Sequence, residues 1–179
     1  MDKKIETRLS QFSKARQEAA KEAQRLEENL CYSSKGHYAA ARFWDNTHLY
    51  TGLSIVILSA FAGVSIFNKE EWIAVAGIIS FIITGLSSIL TFINPKDRAA
   101  THLSVGNKYN TLMNKIRILK NVELFQIESD EIFIEELKFL TTQKDDLNQS
   151  SPQLQRFAYK KAKKGIESGE STFTVDIEK

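Results

Sequence analysis

Four hydroxyl side chains recur at helical spacing in the second of two apolar runs. Ser80, Thr84, Ser87 and Thr91 follow one another at intervals of four, three and four residues, so a helix places them on one face. In lipid, a hydroxyl can donate a hydrogen bond back to its own helix, which makes such a face inexpensive to bury. The row therefore predicts either close packing between membrane helices or the lining of a wetted path between assembled copies.

Small residues in the first apolar run offer a surface that another helix could approach. Ser59 and Gly63 form a small-xxx-small pair, which we expect to receive a partner helix, so the hydroxyl row could simply pack the hairpin. Gly106, further along the chain, costs about 1 kcal/mol in a helix relative to Ala. Its presence there indicates close approach by another helix.

A basic cluster near the C-terminus is the sharpest charge feature. It comprises four lysines: Lys160, Lys161, Lys163 and Lys164. Close to a membrane surface such residues contribute about 1 kcal/mol each toward anionic lipid, and they could also bind a nucleotide or nucleic acid. A solvated helix end explains the cluster as well.

Signatures of catalysis are missing from the sequence. It contains no P-loop, no glycine-rich dinucleotide turn and no G-x-S-x-G sequence. His37, His48 and His102 lack the i, i+4 spacing of a metal-binding pair. The single Cys31 excludes an intrachain disulfide and a cysteine zinc cage. We therefore expect neither an enzyme nor a bound cofactor or metal, and the net charge of +2 makes a nucleic-acid partner unlikely.

Two uncharged runs organise the chain, residues 49–68 and 72–94, separated by a short polar turn at residues 68–71. About 20 apolar helical residues cross a hydrocarbon core of roughly 30 Å, and a charge at its centre costs at least ~2.5 kcal/mol. The pattern predicts a transmembrane hairpin spanning residues 49–94. The alternative is a buried helical hairpin in a soluble bundle.

Basic residues predict the orientation of this hairpin. Lys35 and Arg42 precede it, and Lys96, Arg98 and Lys108 follow it. Under the positive-inside rule both termini face the cytoplasm, which predicts a multi-pass protein of the inner membrane. No cleavable signal peptide is visible ahead of the first run.

The flanking regions read as helices. Residues 1–48 form an amphipathic leader with a seam of apolar residues that Arg16 interrupts. We expect this seam to pack against a helix of this chain or of another subunit. Residues 95–165 form a helical region in which Ser129 caps one helix and Ser151-Pro152 starts a last one that Gly165 closes. Residues 166–179 read as a flexible tail. The seam consists of Ile5, Leu9, Phe12, Ala19, Ala23, Leu26 and Leu30. The predicted fold is an all-α membrane protein: a two-helix transmembrane hairpin with a cytoplasmic helical bundle built from the leader and the C-terminal helices.

The region after the hairpin carries the pattern P-x3-A-x2-H-x3-G-x2-Y-x2-L-x4-R. Together with a tryptophan ahead of the first span, it resembles the SLATT family, the two-transmembrane effectors associated with SMODS and SLOG domains in bacterial conflict systems. The resemblance covers roughly residues 30–165 and is closest to the subgroup encoded beside reverse transcriptases. It implies no catalytic residues. The residues that carry it are Trp44, Pro95, Ala99, His102, Gly106, Tyr109, Leu112 and Arg117.

The resemblance implies a membrane effector of anti-phage defence. Such an effector would oligomerise and open a pore when a nucleotide signal or partner protein triggers it. The implied partners are the lipid bilayer, further copies of the chain, and a cytoplasmic protein such as a nucleotide-signalling enzyme or a reverse transcriptase. Two alternatives remain open at this point. One is a non-conducting membrane scaffold that recruits a cytoplasmic enzyme through the leader, and the other is a holin-like lysis protein.

Overall fold

The computed structural model describes residues 12–66 and 71–173, and every regular element among them is a helix. The all-α fold is therefore confirmed. The elements are α1 (Lys14–Ile66), α2 (Glu71–Ile93), α3 (Pro95–Asn121), a 3₁₀ turn (Glu123–Phe125), α4 (Asp130–Ser150) and α5 (Arg156–Glu167).

Helix α1 contains both the leader and the first apolar run in 53 continuous residues. It passes through residues 33–36 without a break, and this stretch is supported by packing. Ser34 and Gly36 are buried, and Gly36 lies against Leu154. The leader residues Ile5 and Leu9 lie outside the described residues.

The chain divides into two compact units, residues 1–39 with 103–179 and residues 40–102. In the first, the leader packs onto α3 and α4 of the same chain, so its partner helices come from within the molecule. A hydrogen bond of 2.7 Å from the Tyr109 hydroxyl to Asn148 Oδ1 fixes the antiparallel register of α3 and α4. The fully buried centre of this bundle contains Leu30, Ile116, Leu119, Leu124 and Phe133.

The second unit contains the hairpin. Its two apolar segments are long and apolar enough to cross a membrane, and very few of their residues are buried inside the molecule. In a water-soluble core such helices would be covered. The exposure of apolar side chains instead matches lipid as their solvent, so the buried soluble hairpin is disfavoured.

The C-terminal segment differs from the sequence expectation. The last helix begins at Arg156, after an N-cap at Gln155, whereas Ser151 ends α4. The extended link between these helices is held by Leu154, which occupies the space over Gly36. Helix α5 continues past Gly165 to Glu167, and the left-handed residue that follows it is Gly169, with φ 89°.

Residues after α5 contact the bundle as far as they are described. Glu170 pairs with Lys35 at 3.5 Å, and the ring of Phe173 lies under the Arg117 guanidinium at 4.8 Å. Ser171 Oγ lies 3.4 Å from the sulfur of Cys31. The first part of the predicted tail thus packs through side chains, and residues 174–179 lie outside the described residues.

Candidate functional site

The hydroxyl row on α2 bonds to its own helix. Ser80 Oγ donates to the carbonyl of Ala76 at 2.8 Å, Thr84 Oγ1 to Ser80 at 2.9 Å, and Thr91 Oγ1 to Ser87 at 3.0 Å. Ser88, which the spacing analysis left out, donates to Thr84 at 2.8 Å in the same way. Each of these hydroxyl protons is satisfied without a second helix, and each oxygen keeps an acceptor site free.

A different face of α2 packs the hairpin. Partly or fully covered residues of α2 recur at steps of three and four, and those of α1 do likewise. The α2 seam is Ala76, Ile79, Ile83, Leu86 and Leu90, and the α1 seam is Thr51, Ile55, Leu58 and Ala62. Partly covered small residues beside these seams are Ser87 and Ser88 of α2 and Gly52 and Gly63 of α1. The hydroxyl row follows the α2 seam by one position, which corresponds to about 100° around the helix. The row therefore lies beside the hairpin contact, with Ser87 partly covered and Thr84 and Thr91 exposed.

Ser59 and Gly63 occupy the equivalent flank of α1. Each follows a seam residue by one position, and in an antiparallel pair these flanks share one side. Ser59 is exposed, and a Cβ placed on Gly63 would meet nothing within 4 Å. Small residues of both helices thus predominate on this side, where α1 also carries the exposed Val56, and we call it the small-residue flank. It contains Ser59 and Gly63 of α1 and Gly77, Ser80, Thr84, Ser87 and Thr91 of α2.

The opposite side of α2 has another chemistry. The positions that precede the seam by one are Val75, Ile78, Ile82, Gly85 and Ile89, of which the four apolar side chains are β-branched, with exposures from 37% to 64%. Both flanks are open, so the difference between them is one of side-chain type and size. Branched aliphatic groups suit lipid chains, whereas hydroxyls and glycines suit close helix contact or water.

A sharp corner joins α2 to α3. Asn94 takes a left-handed backbone conformation with φ 45°, ends α2, and accepts a hydrogen bond from the backbone N–H of Asp97 at 3.4 Å. Pro95 is the first residue of α3, where its missing N–H has no cost. Arg98 Nε donates to the last carbonyl of α2, at Ile93, over 2.8 Å, and its guanidinium lies over the Trp44 ring at 5.1 Å.

The remaining residues of the sequence pattern belong largely to the packed face of α3. Ala99, His102, Tyr109 and Leu112 are buried, and the Tyr109 ring stacks on His37 at 5.4 Å. A Cβ on Gly106 would lie 2.9 Å from the Tyr38 ring, which shows how closely α1 approaches α3 there. The pattern marks packing positions and brings no reactive groups together.

Two groups near these residues have shifted pKa values. Burial lowers the pKa of His102, and the positive charge of Arg98 lowers it further. Burial also raises the pKa of the Tyr38 phenol, whose hydroxyl donates to Asn107 Oδ1 at 2.9 Å. Near neutral pH both groups are therefore held in their uncharged forms.

The four lysines of the basic cluster lie on the exposed side of α5. Its buried side is made of Ala158, Ala162 and Gly165. Lys163 lies 3.6 Å from Glu167, and it also lines a polar cleft of about 530 Å³ that includes the stacked rings of Tyr32 and Tyr159, 6.2 Å apart. Lys160, Lys161 and Lys164 are exposed to solvent.

Arg16 has a role that sequence reasoning missed. It lies at a core position of the leader, 2% exposed, and donates to the carbonyls of Leu124 at 2.7 Å, Glu128 at 3.2 Å and Ile127. It also pairs with Asp130 at 3.1 Å. The side chain thereby binds the whole link between α3 and α4. Its sequence signal was the interruption of an otherwise apolar seam.

No group of three or more histidine, cysteine or acidic side chains that could hold a metal ion occurs within residues 12–66 and 71–173.

A protein-family model, the SMODS and SLOG-associating 2TM effector domain family 4, matches residues 20–178. The chain belongs to this SLATT family. No curated protein and no solved structure matches it.

SLATT membership and the structure agree on the main features. The family is defined by two transmembrane helices, and α1 and α2 supply two helices able to span a membrane. Together they indicate a membrane protein, and the family implies a membrane effector of conflict systems. A SLATT domain is an effector domain and not a known catalytic fold.

Proposed function

We propose that this SLATT protein acts in the bacterial inner membrane as a triggered pore-forming effector of anti-phage defence. Copies of the hairpin would assemble with their small-residue flanks toward a common axis. Both termini would face the cytoplasm, as the basic residues beside the spans favour. The trigger would be a nucleotide signal or a partner such as a nucleotide-signalling enzyme or a reverse transcriptase.

The observation that carries this proposal is the position of the hydroxyl row. Thr84 and Thr91 are exposed, and the hairpin is packed by the neighbouring aliphatic seam. Packing of the hairpin alone therefore does not account for the hydroxyls. A surface of this kind fits contact between copies, or contact with water inside an assembly.

The proposed mechanism is a shift between two populations. In separate hairpins the hydroxyl protons of Ser80, Thr84 and Thr91 are bonded to their own helix, so these residues can face lipid at little cost. In an assembly the free acceptor sites of the same oxygens would face water or a permeating cation. A trigger that binds the assembled state more tightly would shift the equilibrium toward it by its differential affinity.

The test is a paired substitution on the two flanks of α2. Thr84→Leu with Ser87→Leu replaces hydroxyls by bulky apolar groups on the small-residue flank. Ile82→Leu with Ile89→Leu is the matched control on the opposite flank. We expect the first pair to abolish depolarisation measured with a membrane-potential dye, while membrane insertion is unchanged. The control pair should depolarise like the unaltered protein. Equal depolarisation by all three would show that the row does not line a path.

A second function is favoured by a separate observation. The leader seam is already covered by α3 and α4, so the leader from residue 14 onward is not free to recruit an enzyme. A groove between α3 and α4, lined by Lys108, Lys115 and Gln143 among others, is open, however, and a non-conducting scaffold could use it. Ion flux through liposomes containing the purified protein, with and without cyclic nucleotides, separates the two functions because the scaffold never conducts.

A further inference from the structure

An open groove runs between α3 and α4 on the side away from the leader. One end, which we call the polar end after its lysines, has a volume of about 450 Å³. It is lined by Ser104, Lys108, Thr111 and Lys115 of α3 and Gln143 of α4, together with the apolar Leu112 and Leu147. Lys108 and Lys115 are two helical turns apart, so their ammonium groups point in the same direction. All residues that line the polar end belong to the first compact unit, residues 1–39 with 103–179.

Apolar side chains extend this groove toward the link between α3 and α4. Ile118 and Val122 continue the row of α3 that contains Lys115, and Ile132 and Phe139 continue the row of α4 that contains Gln143. In the register fixed by Tyr109 and Asn148, Ile118 lies opposite Phe139. The exposed fractions are 49% for Ile118, 46% for Val122, 58% for Ile132 and 56% for Phe139. These four half-exposed apolar groups, two on each helix row, border the groove outside the apolar hairpin and are left about half uncovered by the described chain.

The charges at the two ends of the groove differ. Among the described residues, neither Lys108 nor Lys115 lies within ion-pair distance of a carboxylate, and no acidic residue lines the polar end. The acidic residue in the same row of α4, Glu136, lies at the apolar end. The polar end therefore offers two unneutralised positive charges beside apolar surface.

The leader shows how this pair of helices accepts a third helix. On the opposite side of α3, the leader inserts Ala23 and Leu26 into the core and pairs Glu27 with Lys120. The leader is thus held on α3 and α4 by an apolar face together with one ion pair between an acidic residue and a lysine. The open groove also offers lysines beside apolar side chains, but the described chain supplies no acidic residue to pair with these lysines.

We propose that the open groove is the docking surface for an amphipathic helix of a partner protein, with Asp or Glu beside its apolar face. The carboxylates would pair with Lys108 and Lys115, and the apolar face would cover Ile118 and Phe139. A second copy of this chain is a poorer occupant because it brings the same unpaired lysines. The assignment does not depend on whether the hairpin conducts, so either inference can fail without the other.

The probe is a stapled helical peptide of roughly 18 residues, about 27 Å long, which matches the distance along α3 from Ser104 to Val122. It carries leucines on one face and glutamates beside them, and its counterpart carries lysines in place of the glutamates. Binding to the full-length protein in phosphatidylcholine nanodiscs is measured by fluorescence anisotropy. We expect the acidic peptide to bind and the basic peptide to bind at least about tenfold more weakly.

The variant Lys108→Glu with Lys115→Glu should reverse this preference, so that the basic peptide binds and the acidic peptide loses about tenfold in affinity. Phe139→Ser should weaken both. Lys160→Glu with Lys161→Glu is the control for charge alone, since these lysines are exposed on α5. Circular dichroism confirms that each variant is folded.

Several results would overturn the proposal. Equal binding of both peptides to the unaltered protein would exclude charge recognition, and so would an equal loss in the α5 control. Lysine-dependent binding of pyrophosphate without binding of either peptide would make the groove an anion site. A change of oligomer mass on light scattering in the Phe139→Ser variant, again without peptide binding, would assign the surface to a second copy.

Discussion

At the scale of single residues, the buried guanidinium of Arg16 explains how the link between α3 and α4 is held. Backbone carbonyls in such a link have no helical partner, and each one buried without a donor costs about 1–3 kcal/mol. Arg16 supplies donors to three of them and pairs with Asp130, while its plane lies 4.6 Å from the Phe12 ring centre and 5.4 Å from that of Phe133. A fork of five donors on a flat apolar body suits this position, and lysine would not.

We predict that Arg16→Met lowers the free energy of unfolding by roughly 3 kcal/mol, since it removes the donors of one buried and two partly buried carbonyls and leaves Asp130 with only the Ser13 hydroxyl as a donor. Urea titration in detergent measures this change. The control is Arg25→Met, because Arg25 is exposed and pairs with Glu22 alone on its own helix. That control should change stability by less than about 0.5 kcal/mol. Similar losses in both variants would contradict the role assigned to Arg16.

His102 gives the stability a pH dependence. Its pKa in the folded chain lies below the unfolded value of about 6.5, so below that pH the unfolded chain binds more protons than the folded one. Its contribution is complete above pH 6.5 and is lost as the pH falls through the folded pKa. We predict that His102→Gln flattens the melting temperature between pH 7 and pH 5 and that His48→Gln does not. An unchanged slope in His102→Gln would contradict this prediction.

At the scale of elements, the corner at Asn94 connects the second span to α3 in a single residue. A left-handed conformation costs an ordinary L-residue about 1–2 kcal/mol, which Asn and Gly tolerate best. Asn94 adds an N-cap contact to α3, and Arg98 satisfies the carbonyl of Ile93 at the end of α2. One short sequence thus ends one helix and starts the next where the apolar run gives way to charged residues.

We predict that the unaltered protein with Asn94 is the most stable to thermal unfolding, that Asn94→Gly is less stable, and that Asn94→Ala is the least stable. Glycine keeps the backbone conformation and loses only the cap, whereas alanine loses the cap and adds strain of about 1 kcal/mol. Thermal unfolding in nanodiscs gives the order. Finding alanine as stable as glycine would mean that the left-handed conformation is not maintained.

At the scale of the whole molecule, the two spans of the hairpin must cross the membrane in opposite directions, so both of their outer ends lie on one side. Basic residues lie at the ends of the hairpin that continue into the leader and α3, and the predicted turn carries one lysine beside two glutamates. This asymmetry favours termini in the cytoplasm. It also fits a chain with one unpaired cysteine, which a reducing compartment keeps as a thiol.

The orientation can be tested by cysteine labelling in spheroplasts. In a Cys31→Ser background, we predict that Lys69→Cys reacts with a membrane-impermeant maleimide in intact spheroplasts. We predict that Lys179→Cys reacts only after permeabilisation, because the proposed orientation places both termini in the cytoplasm. The reverse pattern would invert the topology. Labelling of both sites before permeabilisation, in spheroplasts shown to be intact, would place them on the same side.

The helical class, the two apolar spans and the family could all be predicted from the amino-acid pattern. A bilayer imposes local requirements, namely about 20 apolar residues without charge, and these can be read along the chain. Helical spacing likewise placed Ser80, Thr84, Ser87 and Thr91 on one face, since that depends only on the 3.6-residue turn.

Which faces of neighbouring helices contact each other could be learned from the three-dimensional structure alone. The rotation of α2 that puts the aliphatic seam, and not the hydroxyl row, against α1 depends on side chains of both helices. The burial of Arg16, the late start of α5 over Leu154, and the open groove between α3 and α4 depend in the same way on residues far apart in the chain. Spacing fixes the direction of a side chain within its own helix, but its neighbours are set by packing between helices, which no local pattern encodes.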